Sequence, residues 1–538
     1  MLRLASFGAG ALLAPTARGA LRQPLLSGVR LSTQRPFLGD GASLATLGVA
    51  PGRDSAQFRF VLGRRARVTL ETLVTGQGAA AEQLATDATQ QTVGTRTVSL
   101  GAGPHTLDWV PDTTLKPRTY LLRLRVEDQA GVQAAQRAVV RMLGVDAGFR
   151  TLGAAPGDNA VLSVRTDAQQ LTVQLFRCGP EDEPTNSNDV MNGVPVTGEF
   201  AVGWSRNADR PGTIRLRIGD WPSGVYAARL EADDGRVGFA PLVVRPVTPK
   251  SRVAVVMPTS TWQAYNFYDA DGDGWGDTWY ARWKTVSVDP TRPHANRGVP
   301  YRFRSYDLQF LRWLASTGRE VDFYADEDVE RFASPAALRA AYDLVIFPGH
   351  TEYVSTRLFD LVSGYRDAGG NLMFLSANNF FWKVDKKGQV LQKIAMWRDV
   401  GRPEAALIGA QYRANDDGTR QGPFVVSDVD AAPWLFAGTG LVNGSVLGEE
   451  VGGFGIEIDS TTPDSPPGTK VLAQIPDLFG PGVTAQMAYY ETEAGARVFS
   501  AGAMDFPAVL FTAPGVTLLD NLWRHMLEGL AGSEEPEP

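Results

Sequence analysis

The stretch Asp343-Leu344-Val345-Ile346-Phe347-Pro348-Gly349-His350-Thr351-Glu352-Tyr353 decides how the chain is read. A short β-rich apolar run stops at a glycine, and a histidine and a carboxylate follow at once. A strand buried on both faces of a parallel sheet has this continuous apolar character. In open α/β sheets, ligands bind beyond the carboxyl ends of the strands. His350 and Glu352 therefore stand where chemistry is expected, in a chain with only four histidines.

The neighbouring segments extend the pattern. Arg252-Val253-Ala254-Val255-Val256-Met257-Pro258 reads as another buried strand, Glu320–Tyr324 as a third and Asn371–Ser376 as a fourth. Between them, Leu308–Leu314 has helical spacing and stops at Gly318, Leu338–Tyr342 reads as a short helix, and Arg357–Tyr365 is amphipathic and ends at Gly369-Gly370. Helices commonly end at such glycines. Strand–helix alternation at these lengths predicts a doubly wound parallel sheet. After about residue 400 the chain returns to short strands and turns, before a last helix at Leu518–Leu530.

Upstream the period changes to two. Ala56–Leu62, Ala66–Thr72 and Thr119–Val126 alternate as half-buried antiparallel strands do, and Val161–Arg165, Leu171–Phe176, Thr213–Ile218, Gly224–Leu230 and Val237–Val244 repeat the plan. Two tandem immunoglobulin-like β-sandwiches are expected, over 35–142 and 143–249, with Pro246-Val247-Thr248-Pro249 as the linker to an α/β domain over 250–532. Residues 1–34 read as an export leader, which predicts a periplasmic or secreted protein, or else as a disordered extension of a cytoplasmic one. The acidic end 533–538 reads as a disordered tail.

A length of 538 residues calls for several domains, and a net charge of −7 without a basic stripe argues against a nucleic-acid partner. No apolar run reaches the length of a membrane-spanning helix. The single cysteine, Cys178, excludes an intramolecular disulfide and lies outside the α/β region, so it reads as a small buried thiol rather than a nucleophile. No phosphate-binding glycine loop, Gly-x-Ser-x-Gly elbow or multi-histidine cluster occurs.

Four polar segments follow predicted strands and can share one crevice: Thr259–Asn266, Tyr268–Tyr280, Gly349–Tyr353 and Ser376–Trp382. Within the second, Asp269, Asp271, Asp273 and Asp277 fit D-x-D-x-D-G-x-x-D, the arrangement by which a short loop wraps calcium. The twelfth position carries Tyr280 instead of a bidentate glutamate, so the loop is not an EF-hand. Trp262, Trp279, Trp283 and Trp382 read as packing residues, and His294 and His525 as surface or helix residues.

Several phrases, in order, resemble the C-terminal domain family of the large (β) subunit of N,N-dimethylformamidase. They are Trp262-Gln263-Ala264-Tyr265-Asn266, Gly349-His350-Thr351-Glu352-Tyr353, Gly369-Gly370-Asn371-Leu372 through Asn378-Asn379-Phe380-Phe381-Trp382, and Phe454-Gly455-Ile456-Glu457-Ile458-Asp459. The resemblance implies a glutamine-amidotransferase-like α/β core. It also implies a mononuclear iron held by two tyrosines and a glutamate, here Tyr265, Glu352 and Tyr280, with Tyr268 as the alternative second tyrosine. Phenolate and carboxylate oxygens are hard donors that suit a ferric ion. His350 and Glu457 are then candidates for proton transfer, and Asn378 for holding a carbonyl.

The expected function is iron-dependent hydrolysis of a small amide, with calcium in a structural role. A second copy of the chain is left open as a partner. The alternative is an exported, non-catalytic protein that binds a polymer or cell-surface ligand.

Overall fold

Alternating burial organises the first half of the chain. The computed structural model describes residues 23–33, 36–39, 44–48, 55–75, 90–281, 287–388 and 390–528. Residues 1–22 and 34 of the proposed leader, the acidic tail and Trp283 lie outside these, whereas Leu26–Thr33, placed in the leader on sequence, is a strand of the first sheet. In Ala56–Leu62 every second side chain is buried, and the strand pairs antiparallel with Leu26–Thr33 and Gly103–Trp109. This three-stranded sheet faces a five-stranded one, ordered Leu44–Gly48, Gln133–Leu143, Thr119–Asp128, Ala66–Thr75, Gln90–Leu100. Phe58, Phe60, Trp109, Leu122 and Val126 fill one core between them.

A second pair of sheets follows, built on Asn159–Arg165 and on Gln170–Arg177 with Gly224–Ala232 and Val237–Val244. The two regions share two devices. In each, an early strand pairs in parallel with the last one, Leu44–Gly48 with 139–143 and Gly153–Ala154 with 243–244. In each, a buried tyrosine hydroxyl donates to the carbonyl four residues earlier, Tyr120 to Lys116 at 2.7 Å and Tyr226 to Pro222 at 2.6 Å. Cys178 is buried, and burial pushes its thiol pKa up.

The second half centres on a nine-stranded sheet. Five strands are mutually parallel, in the spatial order Asp322–Ala325, Val253–Met257, Leu344–Phe347, Asn371–Phe374, Arg497–Ser500. Four antiparallel strands extend it: Ala485–Glu491, Lys470–Ile475, Phe424–Val426 and Val446–Leu447. Successive side chains of the parallel strands enter opposite cores. Val253, Val255, Leu344 and Ile346 meet the helices Leu308–Thr317 and Ala513–Leu527, and Ala254, Val256, Val345 and Phe347 meet Thr356–Asp367. Helices thus cover both faces. The chain as a whole is a multidomain, β-rich protein with some helices.

At the carboxyl ends of the parallel strands lies a separate four-stranded sheet of Ser287–Val288, Val390–Met396, Trp382–Lys387 and Tyr353–Ser355. It roofs the region where His350 and Glu352 emerge.

Candidate active site

The strand order reverses between Val253–Met257 and Leu344–Phe347: the chain's second parallel strand lies on one side of this pair and its fourth on the other. Such a switch point opens a crevice at the strands' carboxyl ends. The first strand runs into the helix Thr259–Ala264, whose last turn delivers Tyr265. The other runs into Gly349-His350-Thr351-Glu352. A side chain at position 349 is excluded, because a Cβ there would stand 2.4 Å from Asp307 Oδ1. Thr261 ties the two segments together, its hydroxyl oxygen accepting from the backbone N–H groups of Glu352 (3.0 Å) and Tyr353 (3.2 Å).

Asn378 and Glu457 arrive from two further segments, both on strained backbone. Asn378 and Phe380 hold φ of 54° and 59°, and Ile456, β-branched, holds 66°. Left-handed geometry is unfavourable for such residues and persists where surrounding structure enforces it, often at functional sites. The enforcing bonds are Asn378 N–H to Asp459 Oδ1 at 2.8 Å and Thr351 N–H to Asn379 Oδ1 at 3.0 Å.

These segments bring seven polar side chains to one buried place. The Tyr280 hydroxyl lies 2.8 Å from that of Tyr265, 3.2 and 3.1 Å from the two Glu352 oxygens, and in its closest contact against the Tyr353 hydroxyl. The rings of Tyr265 and Tyr280 stack at 4.3 Å. His350 Nε2 is 3.5 Å from Glu352 and 3.4 Å from Glu457 without a hydrogen bond to either. Asn378 Nδ2 donates to Glu457 at 2.6 Å.

Burial governs the electrostatics. It pushes Glu352 up to about 7, against the phenols of Tyr265 and Tyr280 that donate to it. Burial and then the neighbouring Glu352 charge hold Glu457 well above the carboxylate range. Both phenols are held above their ordinary value, again first by burial. Burial alone lowers His350 to about 3, so the imidazole is neutral at physiological pH. One hydroxyl proton cannot serve all the acceptors around Tyr280 at once. Among the described residues, the charges that oppose burial here are those of Lys393 on Glu352 and Arg302 on Glu457. Two phenols and a carboxylate are hard oxygen donors, a set that could hold a hard metal ion.

The alternative tyrosine lies elsewhere. Tyr268 donates to Asp146 Oδ2 at 2.9 Å and packs under Arg141. The acidic loop between Tyr268 and Tyr280 is separate from the oxygen cluster. One carboxylate oxygen each from Asp269, Asp271 and Asp273 lies within 4.8 Å of the others. Asp277 is not in that group, its Oδ2 accepting from the backbone N–H of Ala270 at 2.6 Å. The loop docks on the first β-region: Thr75 donates to Gly274 O at 2.8 Å, Arg141 to Asp269 O at 2.6 Å, and Trp275 packs on Leu73 and Leu121.

Some residues of the site escape a sequence reading. Tyr353 places its hydroxyl in the cluster. Tyr301 stacks on Tyr265 at 5.8 Å, and Arg302, at a φ of 53°, donates to the hydroxyls of Tyr301 (3.2 Å) and Tyr306 (3.1 Å). The dense aromatic and basic run Tyr301-Arg302-Phe303-Arg304-Ser305-Tyr306 was the available signal. Of the two histidines read as surface or helix residues, His525 does lie in a helix, Ala513–Leu527, and is half-buried, whereas His294 is not at the surface. His294 is buried beside Gln263, and His525 stacks on Trp434 at 3.6 Å and bonds the Tyr489 hydroxyl.

The family model for the C-terminal region of N,N-dimethylformamidase beta subunit-like proteins matches residues 193–516. The chain belongs to this family. The match begins inside the second β-region, upstream of the Pro246–Pro249 linker. Among N,N-dimethylformamidase beta subunits, that of Alcaligenes sp is 26% identical over 158 residues, which is 29% of this chain and 20% of the relative. That of Paracoccus aminophilus is 22% identical over 294 residues, 44% of this chain and 38% of the relative. The matched part thus spans less than half the length of either dimethylformamidase subunit. Among solved structures, Salmonella alpha-2-macroglobulin overlaps 41% of this chain and 17% of its own at 12% identity, with a TM-score of 0.22. Red sea bream transglutaminase overlaps 41% and 32% at 10% identity, with a TM-score of 0.18. Neither likeness carries an argument about this dimethylformamidase-like chain.

Proposed function

We propose that the chain is an iron-dependent hydrolase of the C–N bond of a small linear amide, with Tyr265, Tyr280 and Glu352 as the metal's ligands. The observation that carries the reading is the crowding of two phenols, two carboxyls and a neutral imidazole at a buried switch point. Family membership supports the same chemistry. Bound iron would polarise an amide carbonyl or acidify a water.

The protein's own groups then have separable tasks. The neutral imidazole of His350, with its Nε2 between Glu352 and Glu457, can take a proton from water and pass it on. Glu457, close to the same nitrogen, is the second proton carrier. Asn378 holds Glu457 through Nδ2, and its Oδ1, buried without a hydrogen-bond partner, is left to orient a substrate N–H or a water. The second tyrosine is Tyr280 rather than Tyr268 on this reading. The finer fold assignments, two immunoglobulin-like sandwiches and a glutamine-amidotransferase-like core, accord with the shared tyrosine hydrogen bonds and with the parallel strand order. Calcium on Asp269, Asp271 and Asp273 would fix the loop that leads to Tyr280.

The test is hydrolysis of formamide, N-methylformamide and N,N-dimethylformamide by the iron-loaded chain, followed as formate release. Turnover of one of them is expected, with loss in Glu352→Ala. Iron-loaded, folded protein that turns over none of the three would sink the reading.

A further inference from the structure

A small cavity adjoins the oxygen cluster, with Trp262, Tyr265, Tyr301, Tyr306, Asp307 and His350 among its walls. It offers about 20 Å³ to the centre of a water-sized group. Holding one water takes roughly 10–15 Å³ by that measure, so the space suits one or two non-hydrogen atoms.

Its walls are of one kind. Four are aromatic, and Arg302 grips Tyr301 and Tyr306 by their hydroxyl ends, which fixes the attitude of both rings. The one carboxyl is Asp307, 1% exposed. Asp307 occupies the N-cap position of the helix Leu308–Thr317, yet its side chain makes no capping bond. An uncapped helix start typically forgoes about 1 kcal/mol. The carboxyl turns to Trp262 instead, whose Nε1–H donates to Oδ2 at 3.2 Å, and Oδ1 has no hydrogen-bond partner. Burial pushes the group up to about 8, with only the Trp262 bond opposing. With Oδ2 accepting from Trp262, Oδ1 is the oxygen left open toward a ligand. Aromatic walls attract small alkylammonium ions, and a buried carboxylate neutralises one.

We propose that this cavity receives the amine half of a small amide and that Asp307 protonates the departing nitrogen. The inference rests on the amide-hydrolysis reading above and adds a residue and a subsite to it. Water's oxygen bonds the carbonyl carbon while its proton passes to the neutral imidazole of His350. The nitrogen takes the Oδ1 proton of Asp307, keeps the electron pair of the breaking C–N bond and leaves as a neutral amine. The carboxylic acid product then gives up its own proton to the amine, and the ammonium so formed pairs with the Asp307 carboxylate. The proton held by His350 restores Asp307 when the products leave.

The product end can be tested without turnover. Methylammonium chloride is titrated into the full chain at pH 7 by calorimetry, in buffers of different ionisation heat. The wild type is expected to bind with release of about one proton, because Asp307 ionises on pairing. Asp307→Asn should bind about tenfold more weakly or worse and release none. Tyr301→Leu, which keeps an apolar wall but removes an aromatic face, should bind about fivefold more weakly, and it carries the test if Asp307→Asn does not fold. Tetramethylammonium, too large for the space, should not bind. Absence of methylammonium binding to the wild type overturns the proposal, as does equal binding by either folded variant. A chain that hydrolyses formamides but binds no methylammonium loses only this subsite. A chain that binds methylammonium with proton release but hydrolyses no amide keeps the subsite and loses the hydrolase reading.

Discussion

In the Asp269–Asp277 loop, carboxylates meet backbone N–H groups; around Glu352 they meet other oxygens. Asp269 accepts from the N–H groups of Gly272 and Gly274, both at 2.8 Å, and Asp277 from that of Ala270. Each loop carboxylate is thus held by local chain that lies close in sequence. Glu352 and Glu457 face phenols, an imidazole and each other, and the groups come from segments up to about two hundred residues apart. Local acidic turns stabilise themselves with nearby amides. A buried anionic cluster assembled over long range does not, and calls for a cation or for protons. The loop therefore reads as scaffold and the cluster as chemistry.

Glu457→Gln breaks the comparison most strongly. It keeps shape and an acceptor for Asn378 but removes a proton carrier, so amide turnover should fall by about 100-fold or more while the unfolding midpoint holds or rises. A matched loss of both would make Glu457 structural. Thr261→Val comes next. It leaves the N–H groups of Glu352 and Tyr353 unpaired in a buried site, and denaturant unfolding should show a loss of about 2–4 kcal/mol.

The loop should respond less. Gly274→Ala puts a methyl 2.4 Å from Leu121 Cδ2 at a φ of 91°, and a loss of about 1–3 kcal/mol is expected, read as a lower thermal midpoint with iron content unchanged. Asp271→Asn, on an exposed side chain, should change stability by less than about 0.5 kcal/mol when calcium is chelated. With calcium added, the wild-type midpoint should rise and that of Asp271→Asn should not. A wild-type midpoint that ignores both chelator and calcium would reduce the loop to a hydrogen-bonded turn.

These differences also explain what could be seen in the residue string. The parallel strands were legible because Val253–Met257, Leu344–Phe347 and Asn371–Phe374 are buried on both faces and therefore, Asn371 apart, apolar. Helix Thr356–Asp367 was legible from its spacing and from the glycines after it. His350, Glu352 and Asn378 stand out because a strand end is a local signal.

What was hidden depends on long-range packing. The choice between Tyr268 and Tyr280 turns on how the acidic loop docks against Arg141 and Thr75, nearly two hundred residues upstream for the latter. The burial of His294 depends on Gln263 and Arg292, and that of His525 on Trp434 and Tyr489. The roof sheet joins Tyr353–Ser355 to a hairpin with polar, half-exposed strands that carry no strong period. Asp307 carries no local signal, and its bond with Trp262, forty-five residues upstream, exists only in the fold.

The most direct test of the central claim is metal analysis of the purified full chain together with its visible spectrum. About one iron per chain with a tyrosinate-to-iron absorption band is expected, the band weakening in Tyr280→Phe, unchanged in Tyr268→Phe and lost with the iron in Glu352→Ala. Folded protein that takes up no iron when supplied with it, or an iron band indifferent to Tyr280 and Glu352, would contradict the account.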